Sequence, residues 1–230
     1  MSFELPLFPL NVVLFPGMPL PLHIFEPRYR LMIERCLDSD STFGVAQIIE
    51  GNEGQSGTVP SAIGCAAEIV EVAPFADGRL NVQTLGTRRF EIISLREQDD
   101  YLVGICQWLE DEPNEDGLMR ASLRVRGLLS RYFDSLAIST SLPTELGELD
   151  VPQDPYALSM FIAAIMTLPN NQKQTLLEMT STSARLEIEE FLLERADIVH
   201  RAYAKRAAMG ETEPPVDQTL GHYANFVSLN

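Results

Sequence analysis

Lysine is almost missing from this chain. Of its 17 basic residues only Lys173 and Lys205 are lysines, and the rest are arginines. A nucleotide-driven machine needs a GxxxxGK[ST] loop, in which amides and a lysine cradle the β and γ phosphates. Neither lysine follows a glycine run, so that loop is excluded. A Ser–Lys hydrolase needs a lysine desolvated beside its serine. Lys173 falls in the polar run NNQKQ and Lys205 in a solvated last turn, which suits neither to that work. Histidine is equally scarce: His23, His200 and His222 lie far apart, in different kinds of segment, without an HExxH frame. Each is expected to be a structural histidine. No GxSxG elbow occurs. Cys36, Cys65 and Cys106 are odd in number, widely spaced and without a CxxC pair. A zinc site or disulfide framework is therefore not expected, and buried thiols in a reducing compartment are. No catalytic residue, metal or cofactor emerges. The adjacent acids Asp99-Asp100 and Glu189-Glu190 point apart on a strand or helix and are expected at the solvated surface.

Positive charge is also short, with a formal net charge of −16 at pH 7. Up to Glu112 there are 17 acidic against 7 basic residues, and from Pro113 there are 16 against 10. Both halves repel phosphate backbones and anionic lipid, so nucleic acid and membrane surfaces are excluded as preferred partners. Hydrophobic residues at 45% and charged residues at 22% are still those of a globular chain with a real core. Long apolar helical runs are absent. The apolar start, MSFELPLFPLNVVLFPGMPLPLHIF, carries Glu4 and is broken by Pro6, Pro9, Pro16, Pro19 and Pro21. It reads as neither a secretion signal nor a membrane span, and a cytoplasmic location is expected.

What is present changes character near residue 112. Leu5–Phe8 and Val12–Phe15 are β-like runs, Pro16-Gly17 a turn, and Pro19–Phe25 an extended edge segment, because each proline lacks an amide donor. Phe43–Ile49 is a further strand, followed by the glycine-rich loop GNEGQSG. Gly64–Ala73, Arg79–Leu85, Arg89–Leu95 and Tyr101–Leu109 read as four more, the first two joined at Asp77-Gly78. One helix interrupts them: Pro27 opens it, and Tyr29, Met32, Ile33 and Cys36 recur on one face. Past the acidic loop DEPNEDG the pattern turns helical. Leu118–Leu136 is followed by the proline-punctuated stretch Leu149–Pro155. A helix capped by Asp154 then runs to Thr167, a short one capped by Asn170 or Asn171 runs to Met179, and a long one opens at Ser181 or Ser183. On the long helix Ile188, Phe191, Leu192, Ile198, Val199 and Ala202 form an apolar stripe expected to face the core, with Glu187, Glu190, Glu194 and Arg201 outside it. Met160, Phe161, Ile162, Ile165 and Met166 crowd the helix after Asp154, which is expected to be core. Residues 209–230 have no periodicity and read as a mobile tail ending in the apolar HYANFVSLN.

The opening ELPLFPLNVVLFPGMPLPLHIFEPRYRLMIERCL resembles the start of the Lon protease N-terminal domain, closest to the branch found as stand-alone bacterial proteins. FGVAQI (43–48), GCAAEIVEVAPFADGRLNVQTLGTRRFEI (64–92), YLVGICQWLEDE (101–112) and LPNNQKQTLLEMTSTSARLEIEEFLL (168–193) continue the family's blocks in order. The resemblance covers about residues 3–205. It implies an α+β chain: a PUA-like six-stranded pseudo-barrel over 1–112 crossed by the helix Pro27–Leu37, then a helical bundle over 117–208. Gly86 and Arg88-Arg89-Phe90 would form a tight link between two strands, with Phe90 inward. Lon's ATPase and peptidase regions have no counterpart in these blocks.

The function implied is non-catalytic recognition of unfolded or degron-bearing polypeptides, with a protease or chaperone as a further partner. An extended client would add to a strand edge or lie in a groove. Glu26, Arg28, Tyr29, Arg88 and Arg89, from the most recognisable motifs, are the candidate peptide-binding residues. A structural reading stands beside that one: Arg28 pairs with Glu26, and Arg89 ties barrel to helices. The alternatives are RNA binding, by analogy with other PUA-like barrels, and a hydrolase assembled from scattered residues.

Overall fold

The computed structural model describes residues 1–53, 57–113, 117–140 and 150–209. Among these, seven strands and five helices run in the order β1 (Ser2–Leu10), β2 (Pro19–Ile24), α1 (Pro27–Leu37), β3 (Thr42–Glu50), β4 (Val59–Pro60), β5 (Ile63–Pro74), β6 (Leu80–Gln98), β7 (Tyr101–Trp108), α2 (Leu118–Thr140), α3 (Pro155–Ile165), α4 (Asn170–Glu178) and α5 (Thr182–Ala208). The fold is α+β, as expected. The strands close on themselves: β1 pairs antiparallel with β7, then β6, β5 and β3 follow, and β3 returns to β1 in parallel. Closure leaves the ring without free edges. β2 and β4 lie outside that ring, on β6 and β3 respectively. The six-stranded expectation lacked only the two-residue β4.

Both faces of the ring are covered. Leu5, Leu7, Ala66, Phe90 and Cys106 form one buried cluster. Their strand neighbours Phe8, Leu10, Cys65, Ala67 and Val103 join a second, with Tyr29, Met32, Ile33 and Cys36 of α1. Phe90 fills its cluster so tightly that a Cβ on Gly64 would come within 2.6 Å of its ring. Burying the four α1 side chains contributes roughly 1.5–3 kcal/mol each.

Two local expectations fail. Val12–Phe15 is no strand: pairing of β1 ends at Leu10, and Val13, Leu14 and Phe15 are buried as coil. And β6 is one 19-residue strand rather than two joined by a link at Gly86. Its first half lies between β2 and β5, its second between β5 and β7, with register shifts that let it bend. Gly86 marks the handover. Its amide donates to the Met18 carbonyl at 2.8 Å and its carbonyl accepts from Gly17 at 2.7 Å, so any Cβ there would strike the Phe15 carbonyl.

The chain divides into two units, and the division departs from a barrel over 1–112 and a bundle over 117–208. Residues 168–180, which include α4, belong with residues 1–111; 112–167 and 181–230 form the other unit. The physical reason is a polar tether. The buried guanidinium of Arg89 donates through Nη1 to the Leu177 carbonyl at 2.6 Å and the Met179 carbonyl at 2.5 Å, and through Nη2 to Asp111. Those carbonyls end α4, where a helix leaves acceptors unmet and concentrates negative potential. Gln174 on the same helix donates to Ser61 and to the Ile63 carbonyl. Asn170 is not a cap but the first helical residue, and its side-chain Nδ2 donates to the Asn11 carbonyl at 2.7 Å.

In the second unit Asp154 caps α3 by accepting from the Ala157 amide at 2.8 Å, and Ser181 accepts from Ala184 at the start of α5. Met160, Ile162, Ile165 and Met166 are buried, as expected of a core helix. The α5 stripe is overturned. Ile188, Phe191, Ile198 and Val199 are 40–68% exposed, while Thr182, Arg185, Leu186, Glu189, Leu193 and Asp197 are buried. A polar face is turned inward because Arg185 finds partners there: Nε donates to Ser159 at 2.8 Å, Nη2 to Thr182 at 3.1 Å, and the guanidinium lies over the Tyr156 ring. Glu189 is thus buried rather than at the solvated surface. Among the described residues neither of its carboxylate oxygens has a hydrogen-bond partner. The tail beyond Met209 lies outside the described residues. No helix among the described residues is long and apolar enough to cross a membrane.

Two outcomes follow. Arg89→Ala leaves helix-end carbonyls and Asp111 unmet in the interior and should destabilise the chain by about 3–5 kcal/mol in urea unfolding. A loss under about 1 kcal/mol would show the tether to be dispensable. Burial raises the Glu189 carboxyl well above its ordinary range, with Arg185 opposing in part. The stability this residue contributes is then complete below the ordinary carboxyl range and is lost as pH climbs through the raised value. Glu189→Gln should therefore stabilise at pH 7.5, on the order of 1–3 kcal/mol, and change little at pH 4. Destabilisation at pH 7.5 would mean that an ionised Glu189 is compensated by Arg185.

Candidate functional site

The described residues of the first unit enclose an open cavity of about 150 Å³. Four pieces of chain meet there: Pro9 near the end of β1, the first turn of α1, the described residues of the β3–β4 loop, and the β6–β7 turn. Proline at the first helical position sets where α1 begins, since its φ already suits a helix and its missing amide costs nothing. Arg28 and Tyr29 then fall on the cavity wall.

Glu26 precedes the helix in an extended conformation and makes no side-chain cap bond. Its carboxylate instead accepts from Arg28 Nε at 3.0 Å and Nη2 at 2.9 Å. Arg28 Nη1 donates to the Asp100 carbonyl at 3.1 Å, and its guanidinium lies 4.6 Å from the centre of the Tyr29 ring. Tyr29 packs against Phe8 at 4.0 Å, and burial raises its phenol above the usual range. Two turns further along α1, Arg35 donates to Asp99 at 2.5 Å and to the Tyr101 hydroxyl at 2.9 Å. One helix thus grips a single hairpin turn through two arginines.

That turn is conformationally unusual. Asp99 and Asp100 both have positive φ, 50° and 64°, which a two-residue hairpin connection demands and which aspartate tolerates better than most residues. The pair, expected to be plain solvated surface, frames the cavity. Glu53, Glu97 and Asp100, three acidic residues, belong to the lining beside Arg28, which is already paired with Glu26. The Glu53 carboxylate accepts from the Asn11 amide. The electrostatic character of the opening is acidic.

Of the five candidate residues the structure brings Glu26, Arg28 and Tyr29 together and separates the other two. Arg88 is half exposed, bonded to Glu110 and stacked over Trp108 at 4.7 Å. Arg89 is fully buried in the α4 tether, which removes it from any surface that meets a client. Sequence reasoning missed Glu97, Asp100 and Glu53. The only available signal was QDDY between two alternating runs, a hairpin pattern that would have brought Glu97 and Asp100 next to each other in space.

None of the three cysteines is among the residues lining the cavity. Burial pushes the Cys36 and Cys65 thiols up to about 12 and that of Cys106 to about 11. His23 contacts Asn81 at 2.7 Å on β2, and His200 lies in the other unit against Tyr132; His222 is outside the described residues. Lys173 is buried on α4 despite its polar run NNQKQ, and Lys205 is exposed on α5. Among the described residues no cluster of three metal-ligating side chains forms.

Lon protease 1 of Hydrogenovibrio crunogenus is 29% identical over 182 residues, 77% of this chain and 22% of its own. Lon protease of Escherichia coli K12 is 27% identical over 191 residues, 80% of this chain and 24% of its own. The chain therefore spans about a quarter of the length of these relatives. A crystal structure of a Lon N-terminal domain protein from Xanthomonas campestris superposes with a TM-score of 0.60 at 29% identity, covering 80% of this chain and 95% of that one. The N-terminal domain of a Mycobacterium avium complex Lon protease shares the fold, with a TM-score of 0.65 at 20% identity, covering 84% and 98%. The model of the ATP-dependent protease La (LON) substrate-binding domain matches residues 4–195, and the chain belongs to that family.

Proposed function

We propose that this chain binds extended polypeptides without cutting them, and that it seats one basic client side chain in the acid-lined cavity beside α1. The observation that carries the reading is the pairing of size with charge. About 150 Å³ is small against the 300–1,000 Å³ typical of small-molecule sites, and suits a single long side chain. Glu97 and Asp100 supply negative charge at its rim, and Arg28 is already engaged by Glu26. A lysine or arginine fits with its stem along Tyr29, Pro9 and Leu102 and its charge among the carboxylates. The family description, a substrate-binding domain of a protease, supports polypeptide as the ligand class. Clients are unfolded or degron-bearing chains in the cytoplasm, and a protease or chaperone would act on what is held. A net charge of −16 favours such clients over RNA.

The test is fluorescence anisotropy with a labelled unfolded peptide containing lysines, beside the same peptide with glutamine in their place. Glu97→Gln and Asp100→Asn should each weaken binding about three- to fivefold, the scale of one exposed ion pair, and binding should fall with salt. Asparagine also accepts positive φ, so the turn survives the second change. Equal affinity for the two peptides would remove the cavity as the seat. No saturable binding of either would remove the polypeptide reading, and cleavage of casein by the purified chain would remove its non-catalytic part.

A further inference from the structure

The ring of strands is closed, but β6 outruns it. Its pairing with β5 ends at Ile63 and Glu91, and the Ile92 amide donates to the Ala62 carbonyl at 2.8 Å. Before Ala62 the chain belongs to β4, which pairs with β3 instead, so Ile93–Gln98 runs beside β7 alone. This overhang is about 20 Å long at 3.3 Å per residue.

The pleat decides which of its main-chain groups are open. The two-residue turn at Asp99-Asp100, with positive φ at both positions, makes Gln98 and Tyr101 a hydrogen-bonded pair. Antiparallel pairs alternate, so Arg96 also turns to β7, while Leu95 and Glu97 turn away. Their two amides and two carbonyls have no partner among the described residues. Leu95 is 45% exposed and Ile93 56%. A strand edge with open donors, open acceptors and apolar side chains is a template for another extended chain.

Three other strand edges are treated differently. The Gly86 amide donates to the Met18 carbonyl, which leaves Pro19 and Pro21 on the outer edge of β2. Phe75 donates to the Arg79 carbonyl at 2.8 Å, which leaves Pro74 on the outer edge of β5. Ser61 donates to the Gln47 carbonyl at 2.7 Å, which does the same for Pro60 of β4. Proline has no amide to offer, so each of these edges resists a further strand. The overhang of β6 carries no proline.

We propose that a client polypeptide adds to β6 as a strand along Leu95–Glu97 and takes its main-chain bonds from these two residues. This rests on the function proposed above, and it names the conformation and sequence of the client. Glu97 also lines the cavity. A client residue opposite Glu97 lies on the same face as Glu97, and the residue two places along lies on the face of Leu95. The client segment is therefore a lysine or arginine two residues from a large apolar residue. A second copy of this chain is a poor occupant. It would bring a net charge of −16, with its own Glu97, Asp99 and Asp100, against the same acids.

Amide exchange followed by nuclear magnetic resonance on the full chain reads the edge directly, with a peptide carrying Lys-Ser-Leu in a serine-glycine background. At saturation the Leu95 and Glu97 amides should exchange about tenfold more slowly, whereas Arg96, already bonded to β7, should change less than about twofold. Leu95→Pro removes an outward amide without breaking the ladder to β7. It should weaken the lysine peptide and its glutamine counterpart alike, about tenfold, whereas Glu97→Gln acts on the lysine peptide alone. A peptide N-methylated at its lysine and leucine should lose about tenfold or more in affinity, and one N-methylated at the serine between them should stay within about threefold. Binding that leaves both amides unprotected and tolerates either methylation equally overturns the edge and leaves the proposed function standing. No binding of any peptide overturns both. Protection of Leu95 and Glu97 that grows with protein concentration in the absence of peptide gives the edge to a second copy and overturns the client.

Discussion

One buried guanidinium holds the barrel strands to α4, a helix from far along the sequence. Arg89 lies in the middle of the longest strand and is fully enclosed, and its donors go to two carbonyls at the end of α4 and to Asp111 at the end of the barrel segment. Arginine suits that place because its planar fork offers several donors in fixed directions and its charge does not titrate away. A lysine would have one point of contact for three acceptors. The near absence of lysine noted at the outset acquires a physical meaning at this position, and again at Arg28, Arg35 and Arg185. Each of these reaches two groups at once through different guanidinium nitrogens or across the guanidinium plane.

The candidate site follows from the same logic. Arg28 and Arg35 are seven residues apart, two turns of α1, and so reach the same hairpin turn from opposite ends of the helix. That grip holds two consecutive aspartates in left-handed backbone. Such conformations persist where surrounding contacts over-determine them. Here these contacts fix the acidic rim of an opening whose floor is aromatic and apolar.

Much of the barrel was legible in the chain because its signals were local. Pro27 and the spacing of Tyr29, Met32, Ile33 and Cys36 marked the start of α1 and its buried face, and β-like runs between turn signals marked most strands. What failed depended on contacts between distant residues. Nothing near Gly86 distinguishes a link from a strand that hands over from one neighbour to another, because the cause is the Phe15 carbonyl pressed against it. The α5 stripe failed for a deeper reason. Apolar periodicity predicts the buried face only when burial is governed by transfer from water. On α5 the buried face holds Arg185 and Glu189 because α3 supplies a hydroxyl and an aromatic ring to the guanidinium. At the cavity, Glu26, Arg28 and Tyr29 were marked by a motif, whereas Glu97 and Asp100, which were not among the candidates, needed the pairing of β6 with β7.

The discontinuity of the first unit has a consequence for how the chain is made. A ribosome releases the barrel strands early, but α4 emerges only after residues 112–167 have been synthesised. Until then the Arg89 side chain has no helix end to receive it, and a cation waits in a half-built interior. The barrel is thus obliged to mature late, and its last folding step depends on a segment encoded well downstream of its final strand.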